Sequence, residues 1–337
     1  MSAATPEIAV IVPVHNGAGT LGDCLTALEA STFRDFETIV VDDGSSDGSG
    51  TIAERFPVRL VRLRNNCGAA AARNAGVAVS SAPLLFFLDA DVVVPPEFLS
   101  GVRDALRGLP EHGALFCSYT KETLPRDVFS RHKNLVHHWT HQTGSPEAAT
   151  FCGGFGLIRR EVFESVGGFD PDRRFLEDID LGYRLYRAGH RIFLAKHLQA
   201  THAKAYTLGS LWRSELFGRA VPWTRLMIEY RIFRNDLNTR VSSVFSVLTA
   251  CALPVSVLID PRLRLAGALA LLFLWSNRAF LRLSAREYGF FFAVRSAGLC
   301  WLSCLASALG ACLGAGAWLW EACCSGAGKL LALARDS

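Results

Sequence analysis

The sequence predicts an α/β domain, a mostly parallel sheet with helices on both faces, followed by an α-helical transmembrane region. Two observations carry this. Strand and helix signals alternate over the first 118 residues, and the last 97 contain long uncharged apolar runs. Parallel neighbours need a crossover, which a helix supplies, so βαβα alternation points to a parallel sheet. Ile8 to Val14 reads as the first strand and Thr20 to Ala30 as a helix, with Thr20 as N-cap and Asp23 three residues on. Phe36 to Val41 is the second strand, followed by a turn cluster, Asp-Asp-Gly-Ser-Ser-Asp-Gly, and a helix to Phe56. Val58 to Leu63 alternates as a strand, Cys67 to Ser80 is Ala-rich and helical, and Leu84 to Leu88 is the fourth strand. A helix from Glu97 to Arg107 and a strand from Ala114 to Tyr119 continue the pattern. Residues 119–150 break it and read as a helical insertion, after which strand and helix return through residue 200.

Residues 1–240 hold 27 Lys/Arg and 27 Asp/Glu; the net charge of +4 comes from 8 basic and 4 acidic groups beyond them. This balance gives no reason to expect a nucleic-acid partner. No signal peptide is read at the start, and the ten cysteines lack zinc-type spacing, so they are expected to be small hydrophobes in a reduced compartment. The expected division is a catalytic domain over 1–207, an amphipathic interfacial segment over 208–240, and a membrane region over 241–337 with two to three helices. In the interfacial segment aromatics interleave with arginine: Trp212, Arg213, Phe217, Arg219, Trp223, Arg225, Tyr230, Arg231, Phe233, Arg234. Val241 to Ile259 and Ala297 to Trp320 are uncharged and reach the roughly 20 residues a spanning helix needs, whereas Leu265 to Asn277 is short. Arg225, Arg231, Arg234 and Arg240 precede the first span, and Arg278, Arg282, Arg286 and Arg295 return to the same side if there are three. Arg262, Arg264, Lys329 and Arg335 fall outside, a bias that favours a plasma (inner) membrane protein with its catalytic domain on the cytoplasmic face.

Two motifs bear on chemistry. Asp89 and Asp91 emerge where the fourth strand ends, and residues i and i+2 of a strand point the same way. Two hard oxygen ligands at the carboxyl end of such a strand suit Mg²⁺ or Mn²⁺ bridging a diphosphate; a polar turn after a core strand is the plainer reading. Gly17-Ala-Gly19-Thr-Leu-Gly22, with Asp42 twenty residues beyond Gly22, matches the dinucleotide pattern and would suit a membrane-tethered NAD(P)-dependent oxidoreductase. Against it, Pro13-Val14-His15-Asn16 intervenes before the first glycine, and the acidic clusters at 89–91 and 177–180 are left without a role. The glycines are therefore read mainly as loop and helix-start residues.

Read together, five stretches resemble the inverting family 2 glycosyltransferases of the GT-A (Rossmann-like) fold. They are Val10-Ile-Val-Pro-Val-His-Asn-Gly17, Val41-Asp-Asp-Gly-Ser45, Asn66-Cys-Gly-Ala-Ala-Ala-Ala-Arg-Asn-Ala-Gly76, Phe87-Leu-Asp-Ala-Asp91 and Phe175-Leu-Glu-Asp-Ile-Asp-Leu181, the last preceded by Gly167-Gly-Phe-Asp170. The resemblance spans about residues 7–205. It implies that Pro13, His15 and Asn16 border a donor nucleotide, that Asp42 and Asp43 meet its base and ribose, and that Gly68 and Arg73 lie near base or phosphate. A turn cap is the plain alternative for the two aspartates, and a helix start with a solvated arginine for the last pair. Asp91 would be the main metal ligand, with Asp89 assisting or contacting the ribose, and His202 stands where some relatives place a further metal or phosphate contact. Glu177 joins the nucleotide-binding set, and Asp178 would take the proton from the acceptor hydroxyl; an N-terminal helix cap is its alternative role.

Cys152-Gly153-Gly154-Phe-Gly156 resembles the family's acceptor-side glycine segment. His132, His137, His138 and His141 are read as acceptor-loop or surface residues. Processive members carry Gln-x-x-Arg-Trp after the Glu-Asp cluster; Gln142 and Gln199 do not begin such a segment, so transfer of a single sugar is expected. The expected partners are a nucleotide-sugar donor, a lipid-linked or glycan acceptor, and a membrane.

Overall fold

The computed structural model describes residues 5–232, 237, 240–260 and 262–333. Phe233, Arg234 and Arg335 of the sequence analysis lie outside them, as does the side chain of Lys329. The chain separates into two compact units, residues 1–206 and 207–337.

In the first unit the strands are β1 (Ile8–Val14), β2 (Phe36–Asp43), β3 (Arg59–Leu63), β4 (Leu84–Leu88), β5 (Val92–Val93), β6 (His112–Thr123), β7 (Glu147–Ala148), β8 (Phe155–Arg159) and β9 (Arg191–His202). Its helices are α1 (Ala18–Glu29), α2 (Ser49–Ala53), α3 (Ala69–Ala78), α4 (Phe98–Arg107), α5 (Val128–Thr143), α6 (Arg160–Ser165) and α7 (Glu177–Arg187). One sheet runs β3-β2-β1-β4-β8-β6-β9-β5, with β7 paired to β9. β3, β2, β1 and β4 are parallel, as the alternation predicts. β8 then enters antiparallel between β4 and β6, so the sheet is mixed beyond β4. Every residue of β4 is buried, and Phe86 and Phe87 point to opposite faces: Phe86 packs with Phe98 and Phe155, Phe87 with Phe151, Phe163 and Phe169. The sheet is thus covered on both sides.

Three local expectations are corrected. α1 begins at Ala18 with Gly17 at its N-cap, so Thr20 lies inside the helix and caps nothing. The N-terminus is satisfied from elsewhere: the Ala18 N–H donates to Asp47 Oδ2 at 2.9 Å and the Gly17 N–H to Ser49 Oγ at 3.0 Å. β4 stops at Leu88, and Asp89-Ala90-Asp91 is a turn closed by the Val92 N–H on the Asp89 carbonyl, not strand backbone. The alternation argument for the two aspartates therefore does not apply. The insertion is only partly helical, since β6 runs on to Thr123 before α5 begins.

The second unit is helical: α8 (Leu208–Glu215), a π turn at Leu216–Ala220, α9 (Val221–Tyr230), α10 (Val241–Ile259), α11 (Arg264–Ser276), α12 (Arg278–Tyr288) and α13 (Phe290–Leu333). Trp223 and Leu226 of the expected interfacial segment are buried within this unit, while Phe217 is exposed. Among the described residues two helices are long and apolar enough to cross a membrane, Val241–Ile259 and Phe290–Glu321 within α13. Leu258 on the first and Phe290 and Phe291 on the second are more than 70% exposed. α11, at about 1.5 Å per residue, reaches only about 20 Å and falls short of a bilayer core.

α7 lies close on the chain before β8. A Cβ at Gly182 would fall inside contact distance of the Phe151 amide and the Thr150 backbone, neither of which can rotate away. Gly182→Ala is expected to destabilise the first unit by about 1–3 kcal/mol, measured by urea unfolding.

Candidate active site

The site assembles at the carboxyl ends of β1, β2 and β4, where an open α/β sheet leaves a crevice. Pro13 is the penultimate residue of β1, not part of the loop after it, and beyond the strand the chain passes His15 and Asn16. His15 Nδ1 donates to the Asp43 carbonyl at 2.8 Å. Asn16, at φ 52°, donates its N–H to Ser45 Oγ at 3.0 Å and accepts the Ser46 N–H on Oδ1 at 2.8 Å. The loops after β1 and β2 are stitched into one rim.

Asp42 and Asp43, both buried, have separate duties. Asp42 Oδ1 accepts the Ser45 N–H at 2.9 Å, the turn cap foreseen as its plainer role. Asp43 receives the Cys67 and Gly68 N–H groups on its two oxygens at 2.7 and 2.8 Å, so it closes the start of α3. Gly68 holds φ 91°, a conformation that favours glycine.

Arg73 is not the solvated arginine of the plainer reading. It is 3% exposed, Nη1 reaches Glu177 Oε1 at 2.5 Å, Nη2 reaches Asp89 Oδ1 at 2.8 Å, and the guanidinium lies 5.3 Å from the Phe169 ring centre. Burial alone would weaken its charge, but Asp89, Glu177 and Asp178 outweigh that and raise its proton affinity further.

The two acidic stretches converge through the Gly153-Gly154 segment. The Asp89 N–H donates to the Gly154 carbonyl at 2.9 Å, and the Gly153 N–H donates to Asp178 Oδ2 at 3.1 Å. A Cβ at Gly154 would collide with the Asp89 carboxylate, and one at Gly153 would lie 3.0 Å from Asp178 Cβ. These glycines let backbone separate the two carboxylates by a single strand's thickness. Asp178 is the second residue of α7, whose N-cap Leu176 is held at φ 57°. Burial, then the adjacent Glu177, push the Asp178 carboxyl up to about 7, against the opposing pull of Arg73 and two backbone amides. Asp180 plays no part in the cleft: it is buried and paired with Arg173 and Arg184. Cys152 borders the carboxylates, but burial pushes its thiol up and makes it a poor nucleophile.

Asp91 faces a different group of partners from Asp89. Its Oδ1 is buried without a hydrogen bond, 3.6 Å from His202 Nε2, and its Oδ2 is 3.9 Å from Lys204 Nζ. Burial opposes ionisation, yet His202 and Lys204 hold the carboxyl below its usual range. Val92 of β5 pairs with His202 of β9, which fixes this approach. Among the described residues no three metal-ligating side chains cluster. The orphaned Asp91 oxygen beside a neutral-capable imidazole nevertheless fits a divalent cation that draws its remaining ligands from phosphate and water.

The histidines of α5 are not surface residues. His132 and His138 are buried, and His138 Nδ1 donates to the Tyr119 carbonyl at 2.7 Å. His137 and His141 pack on the Tyr119 ring, which also lies 4.9 Å from that of His202. Sequence reasoning passed over Lys204, although it stands two residues beyond His202, and had no signal for the pairing of Arg73 with Glu177.

Residues 9–167 match the family described as Glycosyl transferase family 2. A validoxylamine A glucosyltransferase of Streptomyces hygroscopicus subsp. jinggangensis is 29% identical over 244 residues, covering 60% of this chain and 57% of the relative. Glycosyltransferase GlyG of Streptococcus pneumoniae serotype 4 is 25% identical over 240 residues, 66% of this chain and 77% of that one. The chain thus spans little more than half the length of the first of these relatives. Among solved structures, the mannosyltransferase PcManGT from Pyrobaculum calidifontis, in complex with GDP-Man and Mn²⁺, shares the fold with a TM-score of 0.53 at 19% identity, covering 92% of this chain and 88% of that one.

The Asp43 cap makes a stability test possible away from the reacting groups. Asp43→Ala leaves the Cys67 and Gly68 amides without their acceptor and is expected to cost about 1–3 kcal/mol, read as a lowered denaturation midpoint.

Proposed function

We propose that the protein, whose residues 9–167 match the Glycosyl transferase family 2 model, is an inverting glycosyltransferase that moves one sugar from a nucleotide diphosphate donor to a lipid-linked or glycan acceptor. The observation that supports this best is the convergence of Asp89 and Asp178 across Gly153-Gly154, with Asp91 and His202 at the same edge. The donor nucleotide lies along the rim formed by Pro13, His15, Asn16, Asp42 and Gly68, with Asp43 supporting that rim. Its diphosphate lies toward Asp91, His202 and Lys204. Asp91 and His202, with Asp89 alongside, would hold Mg²⁺ or Mn²⁺, and the bound ion would supply Lewis-acid neutralisation of charge on a departing nucleoside diphosphate.

Asp178 accepts the proton of the acceptor hydroxyl as that oxygen bonds to the anomeric carbon and the carbon–diphosphate bond breaks. A single displacement turns an α-linked donor into a β-linked product. A carboxyl raised to about 7 suits this task, because a substantial share is ionised at neutral pH and the ionised form is basic enough to draw the proton. The glycine pattern at 17–22 does not favour the oxidoreductase alternative. Asp47 carries its own carboxylate to the N-terminus of α1, where a dinucleotide's pyrophosphate would sit. Gly17 is required by packing, since a Cβ there would lie 2.8 Å from Val14 Cγ2.

The apolar surfaces of α10 and α13 support membrane anchoring, and the basic residues Arg231 and Arg240 ahead of α10 favour a cytoplasmic catalytic unit at the plasma membrane. A lipid-linked acceptor, such as a polyprenyl phosphate or a glycolipid, would then be delivered at that leaflet.

Incubated with labelled nucleotide sugars, the detergent-solubilised protein is expected to release nucleoside diphosphate. EDTA should stop release and Mn²⁺ or Mg²⁺ restore it, while Asp91→Ala should remove that restoration. Asp178→Asn should lower turnover by at least about a hundredfold while nucleoside diphosphate binding, followed by calorimetry, is retained. The wild-type log kcat should climb with slope one as pH rises toward about 7 and then level off, since only ionised Asp178 accepts the proton. A flat profile from pH 5 to 8 would refute the base assignment.

A further inference from the structure

We infer that Arg73 is a positioning residue that ties the donor side of the cleft to the acceptor side, and that it is not a contact for the donor. The inference rests on the proposed reading of the cleft. One guanidinium holds carboxylates from two distant segments, Asp89 in the turn after β4 and Glu177 at the first residue of α7. The planar fork makes this feasible, because its nitrogens point in fixed, divergent directions; an ammonium offers a point charge without that geometry.

The surroundings leave no edge for a nucleotide. Nη1 and Nη2 are used, Nε is buried, Phe169 covers the group at 5.3 Å, and the position a Cβ would take on Gly153 lies 3.3 Å from Cζ. At 3% exposure Arg73 offers a base or phosphate almost no surface unless one of these carboxylates moves aside. Displacing Glu177, whose side chain is only 12% exposed, would leave its charge stranded in the interior.

Glu177 and Asp178 are neighbours in the first turn of α7, so the grip on Glu177 sets where Asp178 stands. Asp178 adds the Gly153 N–H at 3.1 Å, and Gly154 in turn accepts from the Asp89 N–H at 2.9 Å. The loop runs Arg73, Glu177, Asp178, Gly153, Gly154, Asp89 and back to Arg73. A closed ring of this kind holds the base at one distance from the donor-side turn. Displacement between two bound reactants is sensitive to such distances, and an error of about 1 Å can cost about a hundredfold in rate.

The test compares Arg73→Met, Arg73→Lys and Glu177→Gln with the wild type, all as full chains. The expected result for Arg73→Met is a kcat lowered about a hundredfold with affinity for nucleoside diphosphate plus Mn²⁺ within about twofold of wild type. Arg73→Lys, which can satisfy one carboxylate at a time, should fall between the two. Glu177→Gln should reproduce the loss in kcat, and adding Arg73→Lys to it should lower kcat little further. Amide hydrogen exchange supplies a readout independent of turnover: exchange at 177–180 and at 89–92 should quicken together in Arg73→Lys, which retains the charge and hence the fold. Loss of nucleotide affinity with kcat preserved would overturn the inference, as would unchanged exchange at both segments. If the wild type releases no nucleoside diphosphate from any donor, the proposed activity fails, and the exchange result alone then decides whether Arg73 couples the two segments.

Discussion

The first unit depends on how a cluster of carboxylates is kept together in a half-buried cleft. Asp89, Asp91, Glu177 and Asp178 would repel one another if brought together without compensation. Arg73 supplies a charge at the centre of three of them, and His202 with Lys204 supplies compensation at the fourth. The result is two electrostatic neighbourhoods a turn apart. Asp91 is held ionised beside Lys204 and the His202 imidazole, while Asp178, more enclosed and next to Glu177, is left basic. One acidic edge is suited to a cation and the other to a proton.

The backbone makes this division possible. Gly153 and Gly154 run between the carboxylates where any side chain would strike Asp89 or crowd Asp178 and Arg73. Gly182 allows α7 to approach Thr150 and Phe151 just upstream, so the helix that carries Asp178 is seated directly on the chain that separates the two acids. The phenylalanines under β4 give this arrangement a floor, with Phe87 packed against Phe169, whose ring also faces Arg73. Core packing and site geometry are the same set of contacts here.

Helix ends explain why similar motifs serve different purposes. The N-terminus of α1 follows a glycine pattern that in other folds receives a pyrophosphate, but Asp47 and Ser49 already meet its amides. The N-terminus of α3 is closed in the same way by Asp43. Both helix starts are met by the protein's own acceptors, which offsets their positive ends.

The order of strands and helices through residue 118 was legible because hydrophobic periodicity and turn chemistry are local. So were the clusters at 42–43, 89–91 and 177–178, since each is written in contiguous residues. Local signals misled at Thr20, where a good capping residue lost to a side chain arriving from Asp47, and at 89–91, where an apolar run implied strand and the chain turned instead. The histidines of α5 read as acceptor-loop or surface residues, and the burial of His132 and His138 comes from tertiary packing that no local pattern reports. What the tertiary structure alone decided is which acid meets which cation. Arg73 lies 16 residues from Asp89 and 104 from Glu177, and no periodicity reports contacts over such separations. They exist only because β4 and β8 pair while α7 packs on α3 and β9, closing a loop whose ends carry no mutual signal in the chain.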